Sequence, residues 1–302
     1  MSIPKRVITA RPESQEELTL RAEKWLRVAG VWGRLPTRIE PLYDAAKIVE
    51  RDMLELVEDS GFRKALERAE EHIKNAWQKI LGIADLRKKV VYIAKGMPLA
   101  RQRFTQFHEF SHQTIPWHNV NLRYKDRLRD LCAKARNTFE REASYMGSEL
   151  LFQGRRFQRV ARDYKVSVDS IFQLADMHKA SRQATAWRLV EVQDEKIALA
   201  MYYPRDRRLA MRGSPFVFWG YVASDPLYHR FPDIQLPADL PADHPWCGAV
   251  FRGKSAGGEI KLLCGIDGNA EFVWDSWWNG FALLVLLRRR QSFPGISRIV
   301  RA

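Results

Sequence analysis

Cysteine is scarce in this chain. Cys132, Cys247 and Cys264 are the three in 302 residues, odd in number, widely spaced and in no C-x-x-C pair. They write neither a disulfide framework nor a thiolate metal site, and a reducing, cytoplasmic setting is expected. Long apolar runs are missing as well. The longest uncharged one near the C-terminus, 281–287, has seven residues, where a bilayer-spanning helix needs about 20. The opening stretch MSIPKRVITARPESQEE lacks the apolar segment of a secretion signal. Neither a membrane span nor export is expected, and no internal repeat or low-complexity tract is visible.

Acidic residues are outnumbered, 36 Asp and Glu against 50 Lys and Arg, for a net charge of +14. That surplus favours an anionic partner through long-range attraction without naming it. Hydrophobic and charged fractions of 46% and 28% are ordinary globular values and exclude collagen-like, coiled-coil and wholly disordered readings. A chain of 302 residues has room for about two domains of ~150 residues.

Texture along the chain divides it into 1–153, 154–194 and 195–302. The first stretch is helical in character. Leu18, Leu20, Trp25 and Leu26 mark one helix, a second runs over about 41–58, and Ala65, Leu66, Ala69, Ile73, Trp77, Ile80 and Leu81 mark a third. The β-branched run KKVVYIAKGMP, closed by Gly96 and Pro98, predicts a strand over 90–93. Helical periodicity returns over about 100–113, before Pro116, and over about 124–152 with a break near 136–138.

The segment RQRFTQFHEFSHQ contains His108, Glu109 and His112 as H-E-x-x-H. Residues four apart stack on one helix face about 6 Å apart, so two imidazoles at that spacing can close on one tetrahedral zinc. Glu109 can lean over the open coordination position and act as general base, then general acid, toward a metal-bound water. Phe104, Phe107 and Phe110 alternate with the motif and can seat the helix in a core. A catalytic zinc needs a third protein ligand, and Glu140 and Glu142 in FEREASYMGSELLF are the candidates. Two residues apart they point roughly 200° from each other, so only one reaches the metal. Glu140 shares a face with Ala143 and Gly147, small residues that permit close approach, and is favoured; Glu142 and Glu149 are then solvated or outer-sphere charges.

These residues resemble the ImmA/IrrE family of zinc metallopeptidases, whose pattern is R-x-R-F-T-x-x-H-E-x-x-H followed by E-x-E-A-N-x-F-A-x-E-L-L-M-P. Arg101, Arg103, Phe104, Thr105, His108, Glu109 and His112, then Glu140, Glu142, Ala143, Glu149, Leu150 and Leu151, stand in matching places. The resemblance implies a gluzincin-like endopeptidase with His108, His112 and Glu140 on Zn2+ and Glu109 as base. Departures are Ser144 for Asn or Asp, Met146 for Phe, and Phe152-Gln153 for Met-Pro. It also implies an α+β architecture in three parts: a mainly helical zincin-like peptidase domain, a helix-turn-helix-like helical unit and a β-rich C-terminal GAF-like domain.

Between residues 151 and 190, eight Lys and Arg face three Asp, a net of +5 in forty residues. Ala175 and Ala180, with Ser181 before ATAWRLV, have the cadence of a helix-turn-helix unit. Arg182, Gln183, Thr185 and Arg188 could enter a major groove, or the helices could dock a protein substrate. Trp187, Leu189 and Val190 read as core, which leaves few residues for bases and ranks protein docking above DNA contact. Downstream, Trp219, Trp246, Trp274, Trp277 and Trp278 could line a pocket for a small-molecule effector or form plain core. His229, His244, Cys247 and Cys264 show no metal-like spacing, 265–269 reads as a hairpin turn, and Arg288, Arg289 and Arg290 as a solvated basic end. The function expected is cleavage of a specific partner, a helix-turn-helix repressor by the resemblance, to derepress genes. The alternative is a non-proteolytic regulator that binds DNA or repressor, its zinc site structural or vestigial.

Overall fold

The computed structural model describes residues 12–58, 82–118, 133–253, 255–265 and 268–290. The third helix expected near 61–81, Cys132 and the tip of the 265–269 turn lie outside them. The described residues form two units, 12–163 with 173–181, and 164–172 with 182–290.

In the first unit, α1 (Gln15–Val28) buries Leu18, Ala22 and Leu26, a stripe at i, i+4 and i+8. The second helix is shorter than periodicity suggested. α2 (Glu40–Ala46) stops where Lys47 takes φ 55°, and β1 (Val49–Asp52) precedes α3 (Met53–Glu58). The predicted strand is β3 (Val90–Ile93), and it is the middle of a three-stranded sheet. β1 pairs with it in parallel, Val49 opposite Val90, and β2 (Gly82–Asp85) antiparallel, Ile83 opposite Tyr92. A parallel partner some forty residues upstream leaves no local signal, because the register is set by backbone pairing.

α4 (Leu99–Thr114) carries the HEFSH segment. Phe107 and Phe110 are fully buried, while Phe104 is half-buried against the His108 ring. α5 (Ala133–Phe152) passes unbroken through 136–138, where a break was expected. It ends as Gln153 and Gly154 take φ 58° and 40°. Gln153, at the departure from the family's Pro, is fully buried. Its amide donates to the Arg34 carbonyl at 2.7 Å and accepts from the Gly33 N–H at 2.8 Å, fastening the 31–37 loop.

α6 (Gly154–Arg162), α7 (Val168–His178) and α8 (Arg182–Val192) follow. His178 is buried between the rings of Phe152 and Phe157, each centroid 5.3 Å away. Burial pushes its pKa down to about 4, and the cations of Arg156 and Arg103 act the same way. Such a group stabilises the fold fully above its ordinary value near 6.5, and the contribution is lost as pH falls toward 4. Unfolding titrations should lose about 3 kcal/mol across that window from this residue. His178→Leu should flatten the dependence, leaving the part due to His118, which burial likewise pushes down to about 4. An unchanged slope in His178→Leu would assign the acid sensitivity elsewhere.

The second unit is built on one antiparallel sheet of order β6-β5-β4-β9-β8-β7. Its strands are β4 (Ile197–Pro204), β5 (Phe216–Ala223), β6 (Asp239–Leu240), β7 (Ala256–Leu263), β8 (Asn269–Trp278) and β9 (Leu283–Arg289). First and last long strands meet at the centre, Ala198 opposite Leu287. α8 packs on β4 and β5. Ala198, Ala200 and Tyr202 join Trp246, Phe272 and Trp274 in the core on one face. Trp278 packs against that cluster and Trp277 meets Phe172, so Trp246, Trp274, Trp277 and Trp278 serve as core, while Trp219 is exposed. β7 and β8 form the expected hairpin, Leu263 opposite Asn269. Arg288 is half-buried and paired with Asp275 at 2.7 Å, whereas exposed Arg290 pairs with Glu259 at 2.8 Å.

Candidate metal centre

α4 presents His108 and His112 one turn apart, and α5 brings Glu140 across to them. One nitrogen of each imidazole and one Glu140 oxygen all lie within 4.8 Å of one another. The Nε2 atoms of His108 and His112 are 3.1 Å apart; Glu140 Oε2 is 3.2 Å from His108 Nε2 and Oε1 3.6 Å from His112 Nε2. Tetrahedral bonds of 2.0–2.1 Å put ligand atoms about 3.3 Å apart, so the donor set fits a single small divalent ion. The histidines are mostly buried and Glu140 is two-thirds exposed, which leaves the cluster reachable from that side. The hydrogen bond with His108, and His112 close by, hold the Glu140 carboxyl well below the usual carboxylate range.

Close helix approach makes this possible. A Cβ on Gly147 would stand 3.1 Å from His108 N and 3.3 Å from its Cα, so α4 and α5 touch backbone to backbone at the level of the first histidine. Glu109 is buried at 7% exposure, and burial raises its pKa although His108 and His112 oppose this. Its carboxylate accepts a hydrogen bond from the Ala84 backbone. A Cβ on Gly82 would come within 2.7 Å of Glu109 Oε1 and 2.6 Å of Thr105 Cγ2. β2 is thus the sheet edge laid against the motif, while β3, the strand legible in the sequence, is the middle one.

Glu142 is not solvated. It is 6% exposed and accepts from Ser14 Oγ at 2.6 Å, Trp117 Nε1 at 2.7 Å and His118 Nε2 at 2.9 Å. Glu149 is buried at 2% exposure. His118, which the sequence reading passed over, stands with its Nδ1 3.1 Å from His112 Nδ1. Ser144 Oγ lies 3.3 Å from His108 Nδ1, so the departure from the family pattern touches a metal-facing ring directly. Arg103 donates to the Thr37 carbonyl at 2.7 Å and anchors α4 from its outer side. Of the residues considered for base contact, Thr185 and Arg188 are buried. Arg182 stacks on Phe172 at 3.8 Å, and Gln183 accepts from the Asn279 amide at 3.2 Å.

Removing a donor should show in metal uptake. His108→Ala, His112→Ala and Glu140→Ala should each weaken binding by more than the about 10- to 100-fold typical of losing an outer-sphere partner. Chelator competition measures this, and full affinity in any of the three removes that residue from the centre.

Residues 62–190 match the family model Peptidase_M78, described as the IrrE N-terminal-like domain. The chain therefore carries an IrrE N-terminal-like domain, and the His-His-Glu cluster lies within it. Among solved structures, a Mycobacterium tuberculosis transcriptional regulator is similar at a TM-score of 0.56 and 14% identity, over 90% of this chain and 87% of that one. At that identity the likeness is one of fold. No curated protein matches the chain, and no described helix is long and apolar enough to cross a membrane.

Proposed function

We propose that this protein is a cytoplasmic zinc endopeptidase that cleaves one protein partner, a helix-turn-helix repressor, and so derepresses stress-response genes. The observation that carries the reading is the convergence of His108, His112 and Glu140 with buried Glu109 beside them. A zinc ion held there would lower the pKa of a bound water toward about 7 and polarise the scissile carbonyl. Glu109, its proton affinity raised by burial, takes the water proton and returns it to the leaving amine. The substrate would lie extended along the edge of β2 beside Glu109, which no other described strand covers, and add to the sheet as a strand. Gly82 keeps that edge close. The test is incubation of the metal-loaded protein with candidate repressors, reading the cleavage products. A partner bound but never cut would favour the second reading.

That reading is a binding regulator with an idle metal site. A similar fold in a transcriptional regulator, and Ser144 against His108, speak for it. In either case the three parts read from the sequence keep separate tasks, although the described residues of 154–194 are shared between the two compact units. Residues 1–153 hold the centre, the helix-turn-helix-like 154–194 docks the protein partner ahead of any weak DNA contact, and the GAF-like 195–302 takes a small-molecule effector. Because Thr185 and Arg188 are buried, Arg182→Ala should leave any DNA affinity within about twofold while slowing partner cleavage. A steep, salt-sensitive loss of DNA binding would reverse that order.

A further inference from the structure

We infer that His118 is a positioning residue for the metal centre: held by Glu142, it fixes the ring tautomer of His112 so that Nε2 presents its lone pair to the ion. This rests on His108, His112 and Glu140 being the ligands. An ionised carboxylate only accepts and an indole N–H only donates. Glu142 takes the Ser14 hydroxyl on Oε1 at 2.6 Å, and on Oε2 the Trp117 N–H at 2.7 Å together with His118 Nε2 at 2.9 Å. His118 Nε2 must therefore carry the hydrogen, and in a neutral imidazole the other nitrogen then accepts. That nitrogen, Nδ1, faces His112 Nδ1 at 3.1 Å. His112 Nδ1 is the donor, which leaves its Nε2 bare toward Glu140 Oε1 at 3.6 Å.

The pair is built to hold still. His118 is 2% exposed and packs on the Phe139 ring at 4.7 Å. Glu142 is tied at once to the residue before α1 and to the adjacent Trp117 and His118, so two separate segments meet on it. His108 has a different arrangement. Its Nδ1 meets the Ser144 hydroxyl, which can donate or accept and so imposes neither tautomer. The second histidine is preset by a carboxylate–histidine pair, while the first is left to adjust.

Long-range proton–nitrogen NMR on the metal-free wild-type protein should find His118 as the Nε2–H tautomer and His112 as the Nδ1–H tautomer. The opposite tautomer at either ring overturns the inference, and no substitution is needed to see it. Zinc affinity by chelator competition, with the metal-free melting midpoint beside it, gives the second test. His118→Phe keeps a ring and loses both bonds, and should bind zinc about 10- to 100-fold more weakly. His118→Gln can accept on one side and donate on the other, and should recover most of that loss. Equal weakening in both variants, in step with an equal fall in the metal-free midpoint, would mark a merely structural role and overturn the inference. Full affinity in His118→Phe where His112→Ala has lost it overturns the inference and leaves the centre standing. Full affinity in His112→Ala removes the centre and the inference together.

Discussion

Glu109→Gln is expected to keep metal and partner binding while cutting the partner about 100- to 10,000-fold more slowly, the contribution of a positioned general base. Glutamine preserves the volume wedged between Gly82 and Thr105, where a single added carbon would come within 2.7 Å of Glu109 Oε1. Its amide oxygen can still accept from the Ala84 backbone, a bond that contributes to the present environment of Glu109. What it loses is the ability to take a proton. The ligand cluster is untouched, because Glu109 is not among the three converging donors. Wild-type cleavage by Glu109→Gln with full metal content would overturn the peptidase reading. Tight partner binding without cleavage by either form would favour the regulator, with Ser144 as the residue to restore to asparagine first.

Local periodicity made the long elements legible, since α4, α5 and β3 are each defined by residues a few positions apart, and the three residues put forward as donors converge. The 200° separation of Glu140 and Glu142 also held as geometry. Of the two fates expected for Glu142, solvated or outer-sphere, the solvated one failed for a tertiary reason: the far side of α5 is covered by the start of α1 and the 115–118 segment, so pointing away from the metal means pointing into another buried network. His118 was missed because Ile115 and Pro116 separate it from the helical spacing that carries the motif. The signal available was a histidine six residues past His112, beside a tryptophan, with an unassigned carboxylate on the ligand helix. β1 was hidden because its parallel partner β3 lies some forty residues on, and β2, though it forms a hairpin with β3, because a lone four-residue strand carries too little alternation to be read. The second unit's texture did announce strands, but not that its first and last long ones pair at the sheet centre.

Gly147→Val should damage the metal centre more than the fold. The groups nearest an added Cβ are backbone, His108 N at 3.1 Å, His108 Cα and Phe107 C at 3.3 Å, so no side chain can swing aside and the helices themselves must part. Overpacking of this kind costs about 1–3 kcal/mol, visible as a lower denaturation midpoint. The geometric consequence is larger. α4 holds both histidines and α5 holds Glu140, seven residues and two turns before Gly147 on the same face. A wedge at Gly147 therefore withdraws Glu140 from donors that now stand 3.2 and 3.6 Å away, and zinc affinity should fall about as far as in Glu140→Ala. Gly96→Ala is the control, since nothing lies within 4 Å of its added carbon, and both readouts should stay at wild-type values. Should Gly147→Val retain zinc while losing only stability, the two helices would be free to part without moving the ligands, and the centre would not depend on their backbone contact.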